Sequence, residues 1–463
     1  MNNAVGIMGL GTMGSALARN IASRGLSVSV WNRTPEKVTD FVTQFPEGNF
    51  FGTSSVEEFV NSLEKPRRIL LMIPAGAATD EVLSALQPFL EKDDVLMDGG
   101  NALYSDTEAM QAKWMEHGVH FLGCGVSGGE EGALKGPSIM PGGTPHAWEV
   151  FAPVLTAIAA KDFNGGPCVA YMGKGGAGHY VKMVHNGIEY AEMQMLAEAY
   201  DLLARIYKLT PDQIADQFEL WSKGRMASFL VDISIDVLRK KQDGQPLIDL
   251  ILDRAAQKGT GRWTSEEALK LGVPTPSITN AVFMRGLSAD KALREELAPL
   301  YPTLETHEPL PLEEFLVHLE KALFASRLSQ YVQGFALLME ADKAYEYGLN
   351  FQEIVRIWQG GCIIRSAILS DIHAAFAEGP KNLYLTAFAQ KALAEAQASW
   401  RKIVAAAALH GVPLSSISAS LTHFESYRTA RGSAQFIQGL RDRFGSHGYE
   451  RVDQPGAFHT LWS

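Results

Sequence analysis

The chain has 463 residues, 46% of them hydrophobic and 20% charged, enough for two or three domains with cores of their own. A net charge of −11 argues against a nucleic-acid partner, because an acidic field repels a phosphate backbone unless cations are gathered locally. Cys124, Cys168 and Cys362 are odd in number, widely spaced and without a CxxC, which argues against a disulfide framework or cysteine zinc site, and no apolar run approaches the ~20 residues of a membrane span.

Val5-Gly6-Ile7-Met8 reads as a buried parallel strand, leaving no room for a signal peptide, so a cytoplasmic enzyme is expected. Gly9-Leu10-Gly11-Thr12-Met13-Gly14 then opens a helix through Leu17 and Ile21. A lone GxGxxG says little. Strand, tight turn and helix in that order, however, are the setting in which backbone amides and a helix N-terminus face a pyrophosphate. The second strand, 27–31, ends in Asn32-Arg33-Thr34. An NAD-specific site would place Asp or Glu there for the ribose 2′-hydroxyl. None is present, and the Arg33 fork suits a 2′-phosphate, so NADP is expected. Strands over 68–73 and 94–98 end in Ile73-Pro74-Ala75-Gly76 and Gly99-Gly100-Asn101, turns of the kind that line a ligand at the carboxyl edge of a sheet. A strand over 119–123 leads to 126–133, where Ser127, Gly128 and Gly129 read as a loop offering amides to a carboxylate.

Gly175-Gly176-Ala177-Gly178 opens a long helix continuing through Leu203. Residues one, four, five, eight and nine along a helix share a face. From position 182 these are Lys182, His185, Asn186, Glu189 and Tyr190, while Met183, Val184, Gly187, Ile188 and Ala191 form an apolar side. An amine, imidazole, amide, carboxylate and phenol where Leu or Ile would meet a core read as the wall of a wet cleft.

Beyond this helix strand signals nearly vanish. Thr210-Pro211 is a helix start, and helices are expected over 214–221, Phe229–Arg239 and 248–256. Residues 257–263 interrupt them, with Lys258 and the Thr260 hydroxyl as candidate holders of a phosphate or carboxylate, and Arg285 lies late in a helix over 277–287. The run from Glu198 through Ile214 to Trp221 resembles that from Glu340 through Ile354 to Trp358, suggesting a duplicated helical unit. Near the end, Arg441 and His447 stand among aromatics and glycines, and the aromatic stretch 456–462 is expected to dock rather than hang free. No residues stand at metal-ligand spacing, so no metal is expected.

Several long runs in order, Asn32-Arg33-Thr34, Val126-Ser127-Gly128-Gly129-Glu130-Glu131-Gly132, residues 178–190, Ala256-Gln257-Lys258-Gly259-Thr260-Gly261-Arg262-Trp263 and Gly360-Gly361-Cys362-Ile363-Ile364-Arg365-Ser366, resemble the decarboxylating 6-phosphogluconate dehydrogenases of the β-hydroxyacid dehydrogenase superfamily. The resemblance runs nearly end to end. It implies an α/β Rossmann-like N-terminal domain over 1–177, a large all-α domain over 178–434 and a C-terminal tail over 435–463. It further implies a homodimer whose tail reaches the partner's substrate site. The implied reaction, in the pentose phosphate pathway, oxidises 6-phosphogluconate at C3 with NADP, then releases C1 as carbon dioxide to give ribulose 5-phosphate and NADPH.

By resemblance, Lys182 is the base. An ordinary lysine titrates near ~10.4, so a neutral base at neutral pH requires a downward shift. Once protonated it polarises the β-keto acid for decarboxylation without a metal, and Glu189 is the acid that protonates the enediol. Asn101, Ser127, Gly128, Gly129, His185 and Asn186 would orient hydroxyls and carboxylate. Tyr190, Lys258, Thr260, Arg285, the partner's Arg441 and the partner's His447 would hold the phosphate end. The cofactor would meet residues 9–14, Asn32, Arg33, Thr34, Ile73, Pro74, Ala75 and Asn101. Two positions depart from the family pattern, Gly11 where Ala is usual and Pro74 where Lys is usual, and they leave NAD open as an alternative cofactor. The rival reading is an NAD(P)-dependent β-hydroxyacid dehydrogenase acting on another sugar acid, which would have no use for the phosphate-end cations.

Overall fold

The computed structural model describes residues 2–302 and 307–462; Met1, 303–306 and Ser463, which fall within the expected domains and tail, lie outside the described residues. Strands β1 (Val5–Met8), β2 (Val28–Trp31), β3 (Phe50–Gly52), β4 (Arg68–Leu71), β5 (Val95–Asp98), β6 (His120–Ser127) and β7 (Ser138–Gly142) form one sheet in the order β3-β2-β1-β4-β5-β6-β7. All neighbours pair parallel except β6 with β7. Helices α1 (Thr12–Ser23), α2 (Pro35–Gln44), α3 (Val56–Asn61), α4 (Ala77–Leu86), α5 (Tyr104–Met115) and α6 (Gly129–Lys135) connect the strands, and α7 (Pro145–Ile158) follows the last of them. Every residue of β1 and β5 is buried, as expected for parallel strands covered on both faces. The result is a Rossmann-like sheet with one antiparallel edge strand.

β6 outruns its expected end at 123. Its second half is held by β7, in register from Gly123 against Gly142 to Ser127 against Ser138, so Ser127 closes a strand rather than lying in a loop. Gly129 then begins α6.

The rest is helical: α8 (Ala177–Ile206), α9 (Pro211–Ser222), α10 (Phe229–Arg239), α11 (Thr260–Lys270), α12 (Pro276–Ala289), α13 (Lys291–Leu297), α14 (Leu312–Tyr345), α15 (Phe351–Trp358), α16 (Ile368–Phe376), α17 (Ala387–Leu409), α18 (Ser415–Arg428) and α19 (Ala434–Gly445). Two short hairpins interrupt them, β8 (Lys241–Gln242) with β9 (Gln245–Pro246), and β10 (Tyr449–Glu450) with β11 (Ala457–Phe458). α9 starts on a capping box in which Thr210 and Gln213 satisfy each other's backbone amides. Asn350 caps α15 in the same place after a long helix, so long helix then short capped helix occurs twice, as the sequence match suggests.

The helix expected over 248–256 does not form. One 3₁₀ turn at Leu247–Leu250 gives way to irregular chain, with Leu250, Ile251 and Leu252 each more than half exposed. The apolar spacing is helical, but a short helix needs a core to pack on, and none of the described residues buries this one. Asp253 is instead held by Lys291 at 2.7 Å and Arg294 at 2.8 Å on α13.

The end of the chain docks on its own tail. Asp442 of α19, fully buried, accepts from the Gly448, Thr460 and Trp462 N–H groups at 2.9, 3.1 and 2.8 Å, and lies 2.8 Å from His459 Nδ1. No described helix is long and apolar enough to cross a membrane.

Candidate active site

The cofactor end forms where β1, β2 and β4 stop. Gly9 has φ 99°, and a Cβ there would stand 2.5 Å from the Met72 carbonyl oxygen; one on Gly14 would stand 1.9 Å from the Gly9 oxygen. Both positions therefore need glycine. Gly11 does not: a Cβ there meets nothing within 4 Å, so this departure leaves the turn's shape unchanged. The Leu10 amide donates to Asn32 Oδ1 at 3.0 Å and Asn32 Nδ2 donates to the Thr34 carbonyl at 3.1 Å, tying the turn to the end of β2. No side chain caps α1, so the first amides, at Thr12 and Met13, are left for an anion.

Beside the turn lies a cavity of 320 Å³ lined by Gly9, Gly11, Trp31, Asn32, Arg33, Thr34, Lys37, Ile73 and Pro74, among others. Arg33 is exposed and stands 3.5 Å from Glu81, a weak surface pair that a phosphate can displace. Ala75 faces a neighbouring cavity together with Asp98.

The α8 stripe is placed by close contact with the sheet. A Cβ on Gly178 would fall 2.3 Å from the Gly123 carbonyl oxygen, and one on Gly125 would fall 2.3 Å from Lys182 Cβ. Glycine at both positions lets the helix lie directly on β6, with Lys182 alongside Ser127's strand. Lys182 Nζ donates to Asn186 Oδ1 at 2.7 Å and lies 3.4 Å from His185 Nδ1. Asn186 Nδ2 donates to Thr260 Oγ1 at 3.1 Å, at the first turn of α11. His185 Nδ1 is 3.1 Å from Asn186 Oδ1 and 3.8 Å from Glu189 Oε2, while Nε2 is 3.3 Å from Ser127 Oγ. Because the amide oxygen only accepts, this network assigns the proton to Nδ1 and leaves Nε2 to accept from Ser127. One turn on, the Arg285 guanidinium sits 4.9 Å over the Tyr190 ring and also donates to the Ala256 carbonyl at 3.1 Å.

The stripe is buried rather than lining an open groove, with Lys182 at 6%, His185 at 0% and Asn186 at 9% exposure. β6, α11 and the Trp358 ring, 5.5 Å from the His185 ring, cover it. Burial has opposite effects on the two ionisable ends. It pushes the Lys182 amine below its ordinary range, with Glu189 and Cys362 pulling the other way. It pushes the Glu189 carboxyl above its ordinary range, with Lys182 and Arg285 opposing. His185 is driven well below the usual imidazole range by burial and then by Lys182, so its ring is neutral. An amine that sheds its proton more readily than usual and a carboxyl that holds its own longer, two turns apart, are drawn towards the roles of base and acid by their surroundings.

The remaining candidates divide. Gly128 and Gly129 have φ of 120° and 63° beside Ser127, and Gly128 packs against the Gly361 carbonyl. Asn101 is exposed just past β5, and Lys258 is exposed in the loop before α11. Arg441 and His447 are not brought to the α8 stripe of their own chain. Among the described residues Arg441 donates to Gln438 at 3.1 Å and His447 packs on Phe444 at 5.7 Å. Lys37, Trp358 and Cys362 carried no expected site role, the last two standing in the sequence only as part of a helical repeat and of a motif run. A second cation four residues after Arg33 was visible in the sequence; the other two arrive from 170 or more positions away and gave no local signal. Cys362 is buried against Lys182's surroundings, its thiol pushed up to about 12 by burial.

Comparison with known proteins covers both halves of the chain. The family model for the NAD binding domain of 6-phosphogluconate dehydrogenase matches residues 4–173, and that for the 6-phosphogluconate dehydrogenase C-terminal domain matches 178–462. The NADP(+)-dependent, decarboxylating 6-phosphogluconate dehydrogenase of Bacillus subtilis (strain 168) is 48% identical, over 99% of this chain and 98% of that protein. The decarboxylating 6-phosphogluconate dehydrogenase of Escherichia coli (strain K12) is 45% identical with the same coverage. The Plasmodium falciparum 6-phosphogluconate dehydrogenase, solved in its apo form, with its cofactor NADP+ and with its substrate 6-phosphogluconate, superposes with a TM-score of 0.95 at 38% identity, over 99% of this chain and 100% of that one. With a sheet ending in a dinucleotide turn, a buried amine–carboxyl stripe laid against it, and matches along its full length, the chain belongs to the 6-phosphogluconate dehydrogenase family.

Proposed function

We propose that this chain converts 6-phosphogluconate and NADP to ribulose 5-phosphate, carbon dioxide and NADPH, the decarboxylating step of the pentose phosphate pathway. The observation that carries the reading is the pair on α8, a lysine whose amine burial makes easier to deprotonate and a glutamate whose carboxyl the same burial makes harder to deprotonate. Bound NADP supplies the hydride acceptor, and the uncapped start of α1 with Arg33 and Lys37 in the adjoining cavity suits a dinucleotide carrying a 2′-phosphate.

Neutral Lys182 takes the C3 hydroxyl proton as hydride leaves C3. In the resulting β-keto acid, protonated Lys182 gives its proton to the C3 oxygen while the C1–C2 bond breaks, its electrons form the C2–C3 double bond, and carbon dioxide departs. Glu189 then protonates C2 as Lys182 recovers the enol proton, leaving the ketone. Ser127, His185 and Asn186, already hydrogen-bonded to one another or to Lys182, orient the hydroxyls together with Asn101, and Gly128 and Gly129 offer amides to the carboxylate. Tyr190, Lys258, Thr260 and Arg285 hold the phosphate end with the partner's Arg441 and the partner's His447.

A homodimer accounts for a tail whose Arg441 and His447 meet, among the described residues, no part of their own chain's α8 stripe. Its support is the exposed apolar side chains on α12, α13 and α19: Phe283, Leu287, Leu293, Leu297, Phe436 and Ile437. Division into 1–177, 178–434 and 435–463 follows the start of α8 at Ala177 and of α19 at Ala434. Three free, buried cysteines suit a reducing cytoplasm. NADPH formation measured with 6-phosphogluconate and with unphosphorylated gluconate, each with NADP and NAD, tests the reading. Equal efficiency on the two acids would replace it with a dehydrogenase of another sugar acid.

A further inference from the structure

At the end of the sheet away from the α8 stripe, three side chains of metal-ligand type converge. Asp93 lies in the turn before β5, His120 is the first residue of β6 and His146 stands in the first turn of α7. One ligand atom from each lies within 4.8 Å of the other two. His120 Nε2 is 3.9 Å from Asp93 Oδ1, and the two imidazole centroids are 4.5 Å apart. In sequence the three are separated by more than 25 positions each, which hides them from any spacing rule.

Local bonding prepares them for a cation. The Thr144 hydroxyl lies 3.0 Å from His120 Nδ1 and accepts the Ala147 amide at 3.2 Å as the cap of α7. With Nδ1–H given to Thr144, the Nε2 lone pair of His120 is left on the Asp93 side, the outer-shell arrangement that fixes a ligating histidine's tautomer. His146 Nε2 is buried and has no hydrogen-bond partner among the described residues, an orphan that calls for an explanation. Asp93 is fixed by its φ of 72° and by its amide's bond to the Gly118 carbonyl at 2.9 Å.

We propose that Asp93, His120 and His146 bind a divalent transition-metal cation of the zinc class, with water completing the shell. Two imidazoles and one carboxylate are a donor set such ions accept. Tetrahedral bonds of ~2.0–2.1 Å place donors roughly 3.3–3.4 Å apart, so binding draws the three side chains slightly together. β6 runs from His120 to Ser127, which sets the site roughly 23 Å from the reaction centre. The ion clips the β5 entry turn, β6 and α7, and takes no part in hydride or proton transfer.

Titration of the full-length protein with Co²⁺, read by its visible d–d absorption and by competition with Zn²⁺, tests this. One saturable site per chain is expected. His120→Ala and His146→Ala should lose the absorption and bind more than ~10-fold more weakly while still forming NADPH. Zn²⁺ should raise the Tm of the unsubstituted protein and not that of His146→Ala. Asp93 is exposed, so Asp93→Asn keeps the fold and decides the matter if either histidine variant is insoluble; it too should weaken binding. Equal affinity and spectrum in the unsubstituted protein and the soluble variants, meaning an adventitious ion only, or the absence of any saturable site, would overturn the proposal.

Discussion

Replacing Lys182 with Met separates what the amine does for the reaction from what it does to the fold. Methionine is of similar length and fills the space beside Gly125, so only the amine is lost. Turnover should fall steeply. A positioned general acid or base contributes ~10²–10⁴-fold, and Lys182 acts in both proton-transfer roles, so a kcat loss of ~10⁴-fold is expected. Stability should move the other way. Burial depresses the Lys182 pKa, so at neutral pH the unfolded chain holds that proton more tightly and folding is penalised. The penalty is full below the folded pKa and fades as pH rises towards the unfolded value near ~10.4. Each pK unit of depression corresponds to about 1.4 kcal/mol. Against this, Asn186 Oδ1 loses one donor but keeps His185 Nδ1 at 3.1 Å, a cost of about 1 kcal/mol. The Tm at pH 7 should therefore rise. NADP affinity should not change, because the cofactor cavity contains no contact with Lys182; Trp31 on its wall provides a fluorescence signal for binding. A variant retaining more than about a tenth of normal turnover would remove Lys182 as the base. A lower Tm at neutral pH would refute the reading of its burial.

Glu189→Gln should lower kcat by ~10²-fold or more and abolish the alkaline fall in kcat/KM. In the unsubstituted protein activity rises as Lys182 loses its proton and falls as Glu189 loses its own, a loss that burial displaces upward; an unchanged alkaline limb would reassign the acid. Arg33→Ala should weaken NADP by ~10–100-fold and leave NAD nearly untouched, as loss of a charge-assisted contact to a 2′-phosphate requires. A uniform loss with both cofactors would point to the turn instead, and Lys37 should hold the effect towards the lower end. Removing 435–463 should raise KM for 6-phosphogluconate by ~10²-fold, as expected for two lost charge-assisted contacts. Sedimentation would establish that the truncated protein keeps the assembly state of the full chain; an unaltered KM in that state would end the tail's role.

Much of the fold was legible where one local rule decides. Val5–Met8 and Phe229–Arg239 form as read, the first because an uninterrupted apolar run suits a strand covered on both faces, the second because Ser228 caps a clear helical period. The rule failed where a distant partner decided the outcome. β7 extends β6 past Gly123, and the apolar residues 250–252 find no surface to bury them. In the site, the α8 stripe announced itself through polar side chains at helical spacing. That it is buried, and so shifted in pKa, depends on Gly125, Thr260 and Trp358 arriving from three other elements. Gly11 looked like a functional departure, yet an added methyl group there would touch nothing.

The seven-residue interval between Lys182 and Glu189 on one unbroken helix spans roughly 10.5 Å, a separation no loop movement can alter. Their charges influence each other, each favouring the other's ionised form. In the proposed reaction the final step leaves Lys182 protonated and Glu189 ionised, the combination their mutual attraction favours. The cycle then ends one proton transfer away from where it began, since the overall reaction releases no proton to water. To restart, that proton must travel back along α8 from lysine to glutamate. His185 Nδ1, 3.4 Å from one and 3.8 Å from the other, already holds the ring's proton and cannot take up a second on that nitrogen, so the return runs past the imidazole rather than through it.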